Sequence, residues 1–262
     1  MTFSGTIGQY TITRVRETAH LFAVLGSILV QATRLRNWPR TTRAVFARQV
    51  LFTGVEALRF VSLVAFLTGI SVVVQAQVWL GKAGQSEMLG SVLIAVILRE
   101  VAPLLVNFIV IGRSGTAIAV ELANMKVFGE IKVLEAQGLD TLLYLAIPRA
   151  LAFALSVFCL TIWFTIVAFV SGYAFGILFG VGTTDPVIFM NTVLKGLHPA
   201  DVYNLLAKTL VPGLFTVGIC IMEGLSVRYS ITEVPQAATR AVVRSIAALF
   251  IISAIVSVLT YI

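Results

Sequence analysis

Residues 88–112 read MLGSVLIAVILREVAPLLVNFIVIG, an apolar stretch interrupted by one adjacent pair of opposite charges, Arg99 and Glu100. The stretch is long enough to cross a bilayer as a helix. At about 1.5 Å per residue, each end would lie about 18 Å from Glu100, so neither side chain is expected to reach water easily. Because charges at membrane depth usually face a protein interior or a wet cavity, the pair predicts a polar spot inside a membrane protein.

The composition of the whole chain also indicates a membrane protein. Hydrophobic residues make up 58% of the 262 residues and charged residues 12%, whereas a soluble domain carries about 25% charged residues. We expect one domain over residues 1–262, with an interfacial N-terminal segment (1–50) and a transmembrane region (60–262). The net charge of +7 does not point to nucleic acid, because the basic residues cluster beside apolar spans, where they set orientation.

Five apolar segments are candidates for transmembrane helices, so the predicted fold class is an all-α membrane protein. They are residues 60–81, 88–112, 150–184, 205–222 and 245–262. The third is longer than one crossing requires, and we expect its glycine-rich second half to form a re-entrant or interfacial tail. The glycines concerned are Gly172, Gly176, Gly180 and Gly182.

The N-terminal segment predicts an amphipathic helix that lies in the membrane surface. Residues 18–33 contain no Lys, Arg, Asp or Glu but are short for a span. Their apolar residues recur on one helical face, namely Leu21, Phe22, Leu25, Ile28 and Leu29. Arginines flank this segment on both sides, which favours an interfacial helix over the alternative of a signal peptide.

The distribution of positive charge predicts the topology. Residues 1–59 contain eight arginines, whereas the loop after the first predicted span has only Lys82. Since cytoplasmic segments are enriched in Lys and Arg, we expect a cytoplasmic N-terminus and a C-terminus on the opposite side of the membrane.

The loop between the second and third predicted spans carries the most distinctive pattern. Residues 120–137 predict a short helix of mixed charge that ends at Gly138. A helix of this kind on the cytoplasmic side can dock against a partner, and a solvated connecting loop is the alternative.

Residue patterns for chemistry within the chain are missing from the sequence. It has no G-x-x-x-x-G-K-[ST] phosphate-binding loop, so nucleotide chemistry is expected on another chain. Cys159 and Cys220 each lie in an apolar span and are expected to be buried small hydrophobic residues rather than a disulfide. Neither a metal-ligand spacing nor a nucleophile with a base is evident, so we expect a non-catalytic chain without a cofactor or metal of its own.

An ordered series of motifs over most of residues 40–262 resembles the MlaE family of ABC-transporter permeases. The motifs are Leu98-Arg99-Glu100 with Pro103; Gly112-Arg113 with Gly115; Glu121-Leu122 with Met125 and Val127; Glu130-Ile131; Leu134-Glu135 with Gly138 and Asp140; Tyr144-Leu145 with Pro148-Arg149; and Ala238-Thr239-Arg240.

The resemblance implies a homodimeric permease that moves phospholipids between the inner and outer membranes of a Gram-negative cell. Its implied partners are a cytoplasmic ABC ATPase subunit that holds ATP and magnesium, a small STAS-like regulatory subunit, and a periplasmic MCE-domain lipid-binding protein. The helix over residues 120–137 would be the coupling helix on the ATPase. The implied coupling residues are Glu121, Met125, Glu130, Lys132 and Glu135.

The resemblance also places a lipid-binding pocket at the charged pair. Its implied members are Arg99, Glu100, Val101, Val72, Leu80 and Ala83. The alternative for the pair is a structural ion pair between helices. Consecutive residues of a helix point about 100° apart, so we expect them to have different partners. Pro103 is expected to free a backbone carbonyl nearby.

Two points remain open on the sequence alone. Arg14 and Arg240 are candidates for contact with lipid headgroups or a partner, and a plain positive flank of a span is equally favoured for each. The alternative function is an ion-coupled secondary transporter or channel for a small polar solute. That alternative would be favoured by an inverted repeat or by several intramembrane carboxylates, and the sequence shows neither.

Overall fold

The computed structural model is a bundle of helices. It describes residues 40–85, 88–138, 140, 142–180, 185–228 and 230–261, together with residues 19, 22, 23, 25–28, 30 and 31 of the N-terminal segment. The described ranges contain no strand, in agreement with the predicted all-α class.

Ten α-helices follow one another along the part of the chain from residue 40 that the structure describes. They are α1 (Arg40–Val50), α2 (Leu58–Lys82), α3 (Leu89–Leu93), α4 (Ala102–Val110), α5 (Thr116–Val127), α6 (Glu130–Ala136), α7 (Ile147–Leu178), α8 (Pro186–Lys195), α9 (Pro199–Leu225) and α10 (Val234–Tyr261). Wider π-helical turns join several of them into longer rods, at Leu51–Val55, Ile94–Val101 and Ile111–Gly115.

The five predicted spans are confirmed. Five rods are long and apolar enough to cross a membrane, and they are Thr42–Lys82, Leu89–Val127, Tyr144–Leu178, Pro199–Leu225 and Ile231–Thr260. Consecutive spans run in opposite directions, so one end of the bundle carries α5 and α6 (the α6 end) and the other carries α8 (the α8 end). The chain is thus a multi-pass membrane protein, and a cytoplasmic location of the α6 end stays a prediction.

The prediction that glycines loosen the second half of the third span is wrong. Helix α7 continues without a break to Leu178 and packs along α2. A Cβ atom at Gly69 of α2 would lie 2.1 Å from the carbonyl oxygen of Ala168, and one at Gly172 would lie 2.3 Å from Cβ of Val73. The glycines therefore allow two spans to approach closely, and this packing holds the helix together despite its glycines. Residues 181–184 of the predicted tail lie outside the described residues.

This contact yields a first prediction. Gly172→Leu should destabilise the protein by roughly 1–3 kcal/mol or more, because the new side chain must displace Val73 and the α2 backbone. The loss is measured as a lower thermal unfolding midpoint of the detergent-purified chain. Gly81→Leu is the matched control, since no atom lies within 4 Å of a Cβ at that glycine. Equal midpoints for the two variants would contradict the close α2–α7 contact.

The predicted coupling helix over residues 120–137 is two helices. The chain leaves α5 at Val127 and turns at Gly129, which has a φ of 77° that only glycine adopts readily, before α6 begins at Glu130. Helix α5 is also the end of the second span rather than a separate element. The predicted stop at Gly138 is confirmed by its φ of 75°.

The described residues of the N-terminal segment are helical and contact the bundle. Leu25 is buried against α9. A Cβ atom built at Gly218 of that helix would lie 3.0 Å from the Leu25 side chain. The ring of Phe22 stands edge-on to Phe215, with 5.5 Å between ring centroids. This face of the predicted amphipathic helix therefore packs on protein. Arg14 lies outside the described residues.

The two cysteines differ in their surroundings. Cys220 is buried as predicted, whereas Cys159 is exposed on α7, so the prediction of burial is wrong for Cys159. Its side chain lies on a face of α7 that the described residues leave uncovered, which explains the difference. Both thiols are free.

Candidate functional site

Arg99 and Glu100 lie in the π-helical turn Ile94–Val101, within the second span. Such turns interrupt regular α-helix and are frequent at functional sites. The two residues have different partners, as predicted from their adjacency. Nε of Arg99 lies 2.6 Å from Oδ1 of Asp201 in α9. Oε1 of Glu100 lies 2.6 Å from Nζ of Lys208, which lies about two turns after Asp201 on the same helix.

The Glu100 carboxylate joins three spans. Besides Lys208 of α9, Oε1 accepts a hydrogen bond of 2.8 Å from the Ser257 hydroxyl of α10. The Lys208 side chain is 1% exposed and the Glu100 side chain 44% exposed. A buried ammonium needs a paired carboxylate, so Glu100 neutralises Lys208 from the exposed side of the contact.

Pro103 contributes to this arrangement in the way the sequence predicts. Proline has no N–H, so it cannot donate to the carbonyl of Arg99, four residues before it. Nζ of Lys208 donates to that carbonyl oxygen at 2.8 Å. Asn107, one turn after Pro103, donates to the carbonyl of Lys208 at 3.1 Å and so ties the same two spans together.

The charged cluster of Arg99, Glu100, Asp201 and Lys208 lies toward the α8 end of the bundle. Arg99 and Glu100 belong to the span Leu89–Val127. At 1.5 Å per residue, Glu100 therefore lies about 17 Å from one end of that span and about 40 Å from the other. Asp201 is in the first turn of α9. The expectation of about 18 Å to both ends is therefore corrected, because the helix continues well beyond residue 112.

Asp201 and Lys208 were not singled out from the sequence. Lys208 lies near the start of the predicted span 205–222, and Asp201 lies before it. Both belong to α9, because this helix begins at Pro199, earlier than the apolar pattern indicates. Asp201 also accepts a hydrogen bond from the backbone N–H of His198, at 2.8 Å, which caps α9. The available signal was the spacing of Asp201, Asn204 and Lys208, which places three polar residues on one helical face.

The apolar members of the predicted pocket are spread over two spans. Val72 and Val101 are half-buried and pack against the core. Leu80 is half-buried in the last turn of α2, and Ala83 is exposed directly after that helix. Contact of these four residues with a lipid stays a prediction.

At the α6 end, three of the predicted coupling residues share one groove. Its volume is about 640 Å³, and it lies between α1, α5 and the start of α7. Glu121, Met125 and Glu130 line it. Glu121 also pairs with the nearly buried Arg149, with 2.7 Å between Oε1 and Nη2. The other two residues, Lys132 and Glu135, line a neighbouring pocket of about 270 Å³.

Phe128 is a further candidate that sequence reasoning missed. It stands between α5 and α6, lines the larger groove, and is 63% exposed. Val133 of α6 is 57% exposed. Exposed apolar side chains among charged residues are typical of a surface that a protein partner covers. These two side chains are apolar candidates for the predicted docking surface that the charge pattern did not reveal.

Arg240 takes part in an ion cluster within the chain. Its Nε lies 3.0 Å from Oε2 of Glu223, and Arg244 contacts the other oxygen of that carboxylate. Glu223 is nearly buried between α9 and α10. Two arginines on one carboxylate leave a net positive charge there, so contact of Arg240 with a headgroup or partner stays a prediction.

Comparisons with known proteins agree with the family that the motifs indicated. Residues 46–259 match the family described as Permease MlaE. A probable ABC transporter permease protein of Rickettsia prowazekii is 27% identical over 91% of this chain and 90% of its own length. One of Synechocystis is 29% identical over 81% and 80%. The intermembrane phospholipid transport system permease protein MlaE of Haemophilus influenzae is 24% identical over 86% and 84%. The matched range covers nearly all of the five described spans. This chain therefore belongs to the MlaE permease family and is a multi-pass protein of the inner membrane.

Proposed function

We propose that this chain is the membrane-spanning subunit of an ABC transporter that moves phospholipids between the inner and outer membranes. It would act as a homodimer, with ATP and magnesium on a separate cytoplasmic ATPase. A small STAS-like subunit would regulate the complex, and a periplasmic MCE-domain protein would carry the lipid. Support comes from the family and from the Haemophilus relative, which is named for intermembrane phospholipid transport.

The observation that carries the proposal is the exposure of charge within the second span. A carboxylate that is 44% exposed on an apolar rod requires a polar or wet surrounding in the bilayer. A cavity that receives the polar part of a lipid supplies such a surrounding, with Val72, Leu80 and Val101 toward the acyl chains. Both parts of a phospholipid would then have a matching surface.

The coupling region supports the same proposal. The groove at the α6 end is lined by mixed charge and by the exposed Phe128, which suits a protein partner better than lipid. Helix α5 belongs to the same rod as Glu100. A movement of the ATPase against α5 and α6 would therefore act directly on the span that carries the charged pair.

The ion-coupled alternative has less support. Glu100 is already paired with Lys208 and Ser257, so its charge is compensated without a transported cation. The relatives from Rickettsia and Synechocystis are named as probable ABC transporter permease proteins.

The proposal predicts the outcome of photocrosslinking. A photoreactive amino acid at Leu80 should capture phospholipid in cells, and one at Lys132 on α6 should capture protein instead. The captured molecules are identified by mass spectrometry after purification of the chain. Phe250, exposed on the outward face of α10, reports contact with the bulk bilayer. Lipid capture at Leu80 that is no greater than at Lys132 would refute the lipid pocket.

A further inference from the structure

The charged cluster has two layers. Arg99 and Glu100 form the outer layer, with side chains 21% and 44% exposed. Asp201 and Lys208 form the inner layer, with side chains 0% and 1% exposed. Each outer charge is backed by a buried charge of opposite sign, so the exposed part of this turn carries one cation and one anion on adjacent residues.

The outer carboxylate retains an acceptor. Both hydrogen bonds to Glu100, from Lys208 and from Ser257, go to Oε1. No described residue donates to Oε2, and a carboxylate oxygen is an acceptor only. The ligand that fits this surface best therefore has a hydrogen-bond donor for Oε2 of Glu100 and an anionic group for the guanidinium of Arg99.

We propose that this surface selects a zwitterionic headgroup with a phosphate and a primary ammonium, as in phosphatidylethanolamine, over a purely anionic headgroup such as phosphatidylglycerol. The inference rests on the proposed function and names the substrate class of the same site. The ammonium donates to Oε2 of Glu100, and the phosphate accepts from Arg99. Charge-assisted hydrogen bonds of this kind are stronger than neutral ones.

Charge balance gives the second reason. The cluster holds two cations and two anions, Arg99 and Lys208 against Asp201 and Glu100. A zwitterion leaves that balance at zero. A headgroup with net negative charge adds an uncompensated charge within a membrane span and sets its phosphate near Glu100, and both effects are unfavourable.

The test compares the headgroups captured at two positions of the full-length chain in cells that contain both lipids. A photoreactive residue replaces Val96, which is exposed one turn before Glu100, and in a second chain it replaces Phe250 on the outward face of α10. The ratio of phosphatidylethanolamine to phosphatidylglycerol should be roughly tenfold higher at Val96, as expected for one charge-assisted hydrogen bond. Glu100→Gln should lower the ratio to the Phe250 value.

A second variant covers a possible folding defect, because Glu100→Gln leaves the buried Lys208 without its carboxylate. Glu100→Gln/Lys208→Met removes both charges and should also lose the enrichment. Equal ratios at Val96 and Phe250 in the unmodified chain, or an enrichment that survives both variants, would overturn the headgroup selection. Failure of the proposed function has a different signature, since lipid capture at Leu80 would then not exceed that at Lys132.

Discussion

Arg99→Met is expected to leave little folded protein, although Arg99 is itself partly exposed. Its partner Asp201 is fully buried, so removal of the arginine leaves a buried carboxylate without the cation that neutralises it. Breaking a buried pair in this way costs about 3–5 kcal/mol. The measurement is the yield of monodisperse protein in size-exclusion chromatography, together with the thermal unfolding midpoint in detergent.

The matched double variant tests the cause of that loss. Arg99→Met/Asp201→Asn should recover most of the yield, because asparagine is uncharged and still accepts the hydrogen bond that His198 donates to cap α9. Asp201→Asn alone should be milder than Arg99→Met, because the Arg99 side chain already reaches the surface. A double variant as unstable as Arg99→Met would show that the buried charge is not the reason.

Phe128→Ala is expected to weaken binding of the proposed ATPase partner while the permease still folds. Phe128 is exposed between α5 and α6 and lines the larger groove of the α6 end. Truncation of an aromatic anchor in an interface costs about 2 kcal/mol or more, which corresponds to roughly 30-fold weaker binding. The readout is the amount of ATPase that copurifies with the tagged permease.

Glu130→Lys should add to the effect, since Glu130 lines the same groove and begins α6. Phe179→Ala is the control, because Phe179 is 62% exposed directly after α7 at the opposite end of the bundle. Undiminished copurification with Phe128→Ala, or an equal loss with Phe179→Ala, would count against docking at the α6 end.

The exposed face of this region was only partly visible in the sequence. Mixed charge over residues 120–137 indicated a surface helix, and Gly138 indicated its end. The break at Gly129 was missed because the charge pattern continues through it, and a positive φ at one glycine leaves no trace in such a pattern. At that break the chain leaves Phe128 exposed and begins α6, which has no buried residue.

The sequence alone determined the features that depend on local composition. Five apolar runs specify five spans because each must satisfy its backbone within the bilayer as a helix. The ordered motifs around Arg99-Glu100 and Glu121 identify the family. The adjacency of Arg99 and Glu100 also required separate partners, and Pro103 required another donor for the Arg99 carbonyl. All of these follow from helix geometry within a few residues.

Only the tertiary structure decided which residues meet across helices. Asp201 and Lys208 lie more than 100 residues after Arg99 and Glu100, and no local pattern relates them. The packing of α7 on α2 likewise turned Gly172 from an expected weak point into a close contact. Both outcomes depend on the rotation and depth of one span against another, which are set by summed contacts over the whole bundle rather than by any single segment.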